Sequence, residues 1–281
     1  MNGFSDALDS IIAASNAHNR AAEGDYIGED GLLYCGKCRT RKQVEIKVLG
    51  SVRRPLCFCK CEQEKRAREE EAAKKREFEE RVKRYRRMGF PKSDMHRWTF
   101  ENDDGANAKV TEVMRRYVDH FPEMLKTGKG LLLYGNVGTG KTYAACEVAN
   151  ALIDKGYPVL VTNFTRITNT VQGMFEGKQE YLDSLNDFRL LIIDDLGVER
   201  ESAYMQEMVY SIIDGRYRAG LPMIITTNIS MEQLKKTDSM ERARIYDRIF
   251  ERCFPVEVAG GSRRRKIVRE SYADMKALLG L

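Results

Sequence analysis

An α/β domain built on a parallel sheet, with a small cysteine-bearing module and a charged helix ahead of it, is the fold the sequence predicts. Three features carry that prediction. Four short apolar runs, Gly130–Tyr134, Pro158–Asn163, Leu190–Asp194 and Met223–Thr227, alternate with helical segments, the pattern of strands buried on both faces. Five of the seven cysteines crowd into residues 35–61. Between these regions lies Glu62–Met88, composed almost entirely of Glu, Lys, Arg and Ala.

Residues 1–30 form a first segment with one short amphipathic stretch, Phe4–Ile12, followed by small and polar residues. Residues 31–61 hold the cysteine cluster and two candidate strands, Val44–Val48 and Val52–Leu56, joined across Leu49-Gly50-Ser51. Residues 62–90 read as a charged helix. Its apolar residues Phe78, Val82 and Tyr85 fall at i, i+4 and i+7, one narrow stripe, and Gly89 and Pro91 end it. Residues 91–281 carry the α/β domain, opening with helical periodicity over Ala106–His120.

The 281 residues suffice for a core that folds without disulfide staples. A chain 42% hydrophobic and 32% charged is not disordered overall. No apolar run approaches the roughly 18–20 residues that span a bilayer, and the opening MNGFSDALDSIIAASNAHNR lacks the basic start and apolar stretch of a secretory signal. A cytoplasmic protein without membrane contact is expected. The net charge of +5 permits nucleic-acid contact without demanding it.

The run Gly135-Asn136-Val137-Gly138-Thr139-Gly140-Lys141-Thr142 follows the first strand and precedes an apolar helix, Tyr143–Asp154. It fits G-x-x-x-x-G-K-[ST] in the strand–loop–helix setting that pattern needs. Glycines let successive backbone N–H groups curl around a triphosphate, and the helix start adds orphan donors. Lys141 is placed to meet the β/γ-phosphates, and Thr142 to offer its hydroxyl to Mg²⁺. Leu190-Leu-Ile-Ile-Asp194-Asp195 supplies the carboxylates at a strand's carboxyl end, where ligands of open α/β sheets sit. Asp194 is expected to hold Mg²⁺ through water, and Asp195 to orient or deprotonate the attacking water. Asn228, ending the strand Met223–Thr227, is positioned to hydrogen-bond that water or the γ-phosphate. Arg244, Arg248 and Arg252 recur every fourth residue and share a helical face.

Cys35-Gly-Lys-Cys38 has the knuckle spacing that brings two thiolates to one metal, and Cys57-Phe-Cys59-Lys-Cys61 offers three candidates for two further places. Four thiolates suit tetrahedral Zn²⁺. A module this small would draw much of its folding free energy from the metal.

Taken together, Gly135–Thr142, Leu190–Asp195 followed by Leu-Gly, the Thr-Thr-Asn228 strand, Asp247-Arg248 and Gly261-Ser-Arg-Arg264 resemble AAA+ ATPases of the DnaC/DnaI helicase-loader and IstB group. The resemblance covers roughly residues 95–281. It implies slow, switch-like ATP hydrolysis, with Asn228 as sensor 1, Arg248 as an arginine finger acting on a neighbouring subunit's ATP, and Arg264 as the sensor 2 arginine. The chain carries Asp194-Asp195 where most AAA+ proteins have Asp-Glu, and Gly260-Gly-Ser-Arg-Arg where the group has Gly-x-Ser-Tyr-Arg. The cysteine region resembles that of phage-type loaders, which often end the module with Cys-x-Cys-Glu. That likeness favours Cys59 and Cys61 as the remaining zinc ligands, with Cys57 the alternative.

By the same resemblance, the partners are a replicative DNA helicase, met through the N-terminal module and its charged helix, and single-stranded DNA. The DNA would meet Asn163–Asp187, where Phe164 and Tyr181 are stacking candidates and Arg166 and Lys178 phosphate contacts. Self-association on ATP, DNA or helicase is expected. An IstB-type transposition helper would share the ATPase, and a zinc DNA-binding regulator without enzymatic activity would use the phosphate loop passively.

Overall fold

The computed structural model describes residues 10, 21–48, 50–90, 93–197, 202–237, 239–263, 272, 275–276 and 278–279. The amphipathic stretch expected at Phe4–Ile12 therefore lies, apart from Ser10, outside the described residues. The chain divides into two compact units, Met1–Phe78 and Glu79–Leu281.

The first unit holds two small antiparallel ladders. β1 (Tyr26–Ile27) pairs with β2 (Leu33–Tyr34), and β3 (Ile46–Val48) with β4 (Ser51–Arg53). The second pair is shorter than the apolar runs suggested, because Val44 and Leu56 lie outside the ladder; the bridge that extends the pairing joins Gln43 to Leu56. Among its described residues the buried hydrophobics are only Leu32, Cys35 and Cys59, too few to hold a fold by apolar burial alone. The helix α1 (Lys60–Gly89) begins in this unit. Opposite charges four residues apart, such as Glu62–Arg66 and Glu70–Lys74, line its exposed surface.

The second unit contains the last turns of α1, a 3₁₀ turn at Ser93–Arg97, and α2 (Ala108–Asp119) and α3 (Phe121–Thr127). There follow β5 (Gly130–Tyr134), α4 (Lys141–Asp154), β6 (Val159–Thr162), α5 (Phe164–Gln172), α6 (Lys178–Ser184) and β7 (Leu190–Leu196). α7 (Ala203–Arg218), β8 (Met223–Thr227), α8 (Met231–Lys235), α9 (Met240–Arg252) and β9 (Cys253–Glu257) complete it. The five strands form one parallel sheet in the order β6-β7-β8-β5-β9. Side-chain alternation sends Leu131, Leu133, Ile192 and Ile224 into one core with α2 and α4. It sends Leu132, Leu191, Ile193 and Ile225 into a second core with α5, α7 and α9. Helices on both faces explain why the strands read as unbroken apolar runs.

Val82 and Tyr85 pack against the first core, and Arg86 pairs with Asp154 while reaching Asn150. Two members of the stripe on α1 are therefore used within the chain. Arg216 is buried and donates to the carbonyls of Leu185, Phe188 and Pro222. It fastens the end of α7 to the segments entering β7 and β8. Burial among carbonyls pulls its guanidinium pKa down to about 9.

Candidate functional site

The sheet order sets β8 between β5 and β7. The carboxyl ends of these strands thereby gather Gly135–Thr142, Asp194-Asp195 and Asn228 on one rim. In the loop, Gly138 and Gly140 take φ of 85° and 101°, conformations that side chains rarely adopt. Gly135 lies so near the chain that an added Cβ would stand 2.6 Å from the Val258 carbonyl. Val137 is exposed at the tip, and Thr139 Oγ1 donates to the Asn136 carbonyl at 3.0 Å. Lys141, buried at the first turn of α4, donates its ammonium to the carbonyls of Gly135 and Asn136 at 2.9 and 2.7 Å.

Thr142 Oγ1 donates to Asp194 Oδ1 at 2.8 Å, linking loop to strand. Thr226 Oγ1 donates to the same carboxylate oxygen at 2.6 Å and accepts the backbone N–H of Asp195 at 2.9 Å. Pairing between β7 and β8 shifts register between Ile193 and Leu196, and Asp195 takes a φ of 57°. This irregularity leaves Asp194 half-buried beside the loop and Asp195 exposed, as bulges near functional sites do. Burial pushes the Asp194 carboxyl above its ordinary pKa, opposed by the hydroxyls of Thr226 and Thr142. A desolvated carboxylate beside a hydroxyl is a hard-oxygen donor set that fits Mg²⁺. Asn228 lies exposed just past the end of β8.

The arginines divide. Arg248 stays in its own chain's α7–α9 seam, with Nη2 2.8 Å from Asp214 Oδ1 and its guanidinium over the Tyr210 ring. Arg252 donates to the carbonyls of Thr127 and Tyr217, and Arg244 is exposed. Arg264 lies outside the described residues. Its neighbour Arg263 closes on the phosphate loop: its N–H donates to the Gly138 carbonyl at 2.9 Å, and its guanidinium pairs with Asp103 and Asp104.

In the segment expected to meet DNA, Phe164 is a core side chain, 1% exposed. Stacking by Phe164 is thereby excluded, because it anchors α5 in the second core. Tyr181 is half-buried against that core, while Arg166 and Lys178 are exposed. The aromatic that sequence reasoning overlooked is Phe175, fully exposed between α5 and α6.

The first unit brings together Cys35, Cys38, Cys59 and Cys61, with all four sulfurs within 4.8 Å of one another. Tetrahedral Zn²⁺ with Zn–S bonds of ~2.3 Å needs S···S separations of ~3.8 Å, and Cys35–Cys61 and Cys59–Cys61 stand at 3.6 and 3.3 Å. Cys57 points elsewhere, toward the Arg41 carbonyl at 3.7 Å. Hydrogen bonds from the Thr40 hydroxyl and nearby backbone N–H groups pull Cys38 down to about 5. The neighbouring cysteines push Cys61 up to about 12. Such crowding of thiolates is what a bound cation relieves.

Several known proteins resemble the chain. The family model described as IstB-like ATP binding protein matches residues 61–271. The replicative helicase loader DnaI of Bacillus subtilis is 28% identical over 182 residues, 59% of this chain and 58% of that protein. The replicative helicase loader DnaC of Escherichia coli is 29% identical over 126 residues, 43% of this chain and 50% of that protein. The chain thus spans between half and three-fifths of the length of these relatives. A crystal structure of DnaI aligns with a TM-score of 0.51 at 28% identity, covering 60% of this chain and 95% of the other.

Proposed function

The chain belongs to the IstB-like ATP-binding family and has an AAA+ fold, and from this we infer that it is an ATP-driven loader of a replicative DNA helicase. The observation that carries the reading is the bond from Thr142 Oγ1 to Asp194 Oδ1. It draws two motifs 52 residues apart into the pair a magnesium-nucleotide site requires. The loader assignment is supported by the two loader relatives and by the cysteine cluster ahead of the ATPase.

In this reading Gly135–Thr142 cradles the phosphates of ATP, and Lys141 leaves its loop carbonyls to neutralise the β/γ oxygens. Thr142 and Asp194 hold Mg²⁺, which supplies charge stabilisation at the phosphoryl oxygens. Asp195, exposed beyond the irregularity in β7, orients or deprotonates the attacking water, and Asn228 hydrogen-bonds it from the neighbouring strand. Arg248 acts on the nucleotide of an adjoining copy, and Arg264 or the adjacent Arg263 serves the subunit's own site. Cys35, Cys38, Cys59 and Cys61 hold one zinc ion, which stabilises the N-terminal module. That module and the charged helix after it contact the helicase; exposed groups of residues 163–187 contact single-stranded DNA.

A pull-down of replicative helicase with the full chain, in ATP and in ADP, tests the assignment. Retention that differs between the two nucleotides is expected. Absence of retention in both would overturn the loader reading while leaving the ATPase intact.

A further inference from the structure

On α7, Tyr210, Asp214 and Tyr217 fall at i, i+4 and i+7 and so share a face, and Arg248 of α9 lies across it. Arg248 Nη2 stands 2.8 Å from Asp214 Oδ1, its guanidinium 4.7 Å from the Tyr210 ring centre and 5.8 Å from that of Tyr217. Asp214 is 9% exposed, while the Arg248 side chain keeps 23% of its surface open. The contact is close enough for an ion pair, yet Oδ1 receives no aligned hydrogen bond. The closest approach is made by Nη2, so the ion pair engages one end of the guanidinium. The other oxygen, Oδ2, is held by Arg218 Nε at 2.8 Å. Two cations share one anion, so the trio keeps one net positive charge.

An arginine that must reach across a subunit boundary gains from being fixed beforehand, since a long mobile side chain would have to be ordered at every encounter. A lone carboxylate would fix it and also cancel its charge. Here the second arginine offsets that cancellation, and two ring faces hold the plane of the guanidinium. We propose that Asp214 is the positioning residue for Arg248, holding the guanidinium through Nη2 at one place on the subunit surface and leaving its other N–H donors for a phosphoryl oxygen of a neighbouring copy's nucleotide. This rests on the assignment of Arg248 to the neighbour's site and adds how that residue is prepared.

The test compares wild type, Asp214→Asn, Arg248→Ala and the double variant as full chains, reading ATP turnover, ATP affinity and self-association by sedimentation. Asp214→Asn should lower kcat by about ten- to a hundredfold, the scale of a misplaced catalytic group, with ATP affinity and assembly unchanged. It should add nothing in the Arg248→Ala background, and Asp214→Glu should recover part of the loss. Unchanged or raised turnover in Asp214→Asn, or a loss that persists without Arg248, would overturn the proposal. If Asp214→Asn does not fold, Tyr210→Leu decides instead: it keeps both charges, and its loss of turnover must likewise vanish without Arg248. Full turnover by Arg248→Ala alone would refute the role of Arg248 itself, separately and first.

Discussion

The Thr226 hydroxyl serves two masters at the rim of the sheet, donating to Asp194 and receiving the Asp195 N–H. Thr226→Val keeps the shape but leaves that part-buried amide unpaired. It should cost about 1–3 kcal/mol of stability and lower turnover more than ATP affinity, by urea denaturation and steady-state assay. An unaltered kcat would show that the irregularity in β7 places Asp194 and Asp195 unaided. Glu147 gives a pH test. Burial, then the Asp103 carboxylate, pushes its carboxyl up to about 8. With the folded pKa above the ordinary 4.5, the folded chain binds this proton more tightly than the unfolded chain. Its contribution is full below pH 4.5 and is lost as the pH rises toward 8. Glu147→Gln should flatten that decline, and equal pH slopes for the two proteins would reject the assignment. The phosphate loop, Asp194 and the cysteines were legible because each sits in a fixed local pattern. Thr226, Asp103 and Asp214 were not, since the partners that tie them to the site, Asp195, Arg263 and Arg248, lie 31 or more residues away in sequence and only the fold brings them together.

Among the elements, β5, β6, β7 and β8 stood out in the sequence because burial on both faces leaves unbroken apolar runs, and Met223–Thr227 has the expected bounds. β9 did not, since it is short, lies at the sheet edge and contains Pro255, a residue that edge strands tolerate. The charged helix was visible from composition, but not the use of Val82 and Tyr85 against the chain's own core. Tyr85→Ala should accordingly destabilise the second unit by roughly 2–4 kcal/mol, measured as a lowered denaturation midpoint. In the cysteine module, metal analysis should give one zinc per chain. Cys57→Ser should retain it and Cys61→Ser lose it; zinc lost only from Cys57→Ser would exchange their roles.

For the whole molecule, the central claim is that Lys141 and Asp194 act on ATP in one subunit while Arg248 completes the site from its neighbour. No helix among the described residues is long and apolar enough to cross a membrane. The most direct measurement mixes Lys141→Ala with Arg248→Ala, each strongly impaired alone, and reads ATP turnover after sedimentation has shown that they co-assemble. Some interfaces then join an intact nucleotide site on the Arg248→Ala subunit to an intact Arg248 on the other. Part of the turnover should return if Arg248 acts in trans, rising with the mixed fraction. Co-assembly with no recovered turnover would contradict that role.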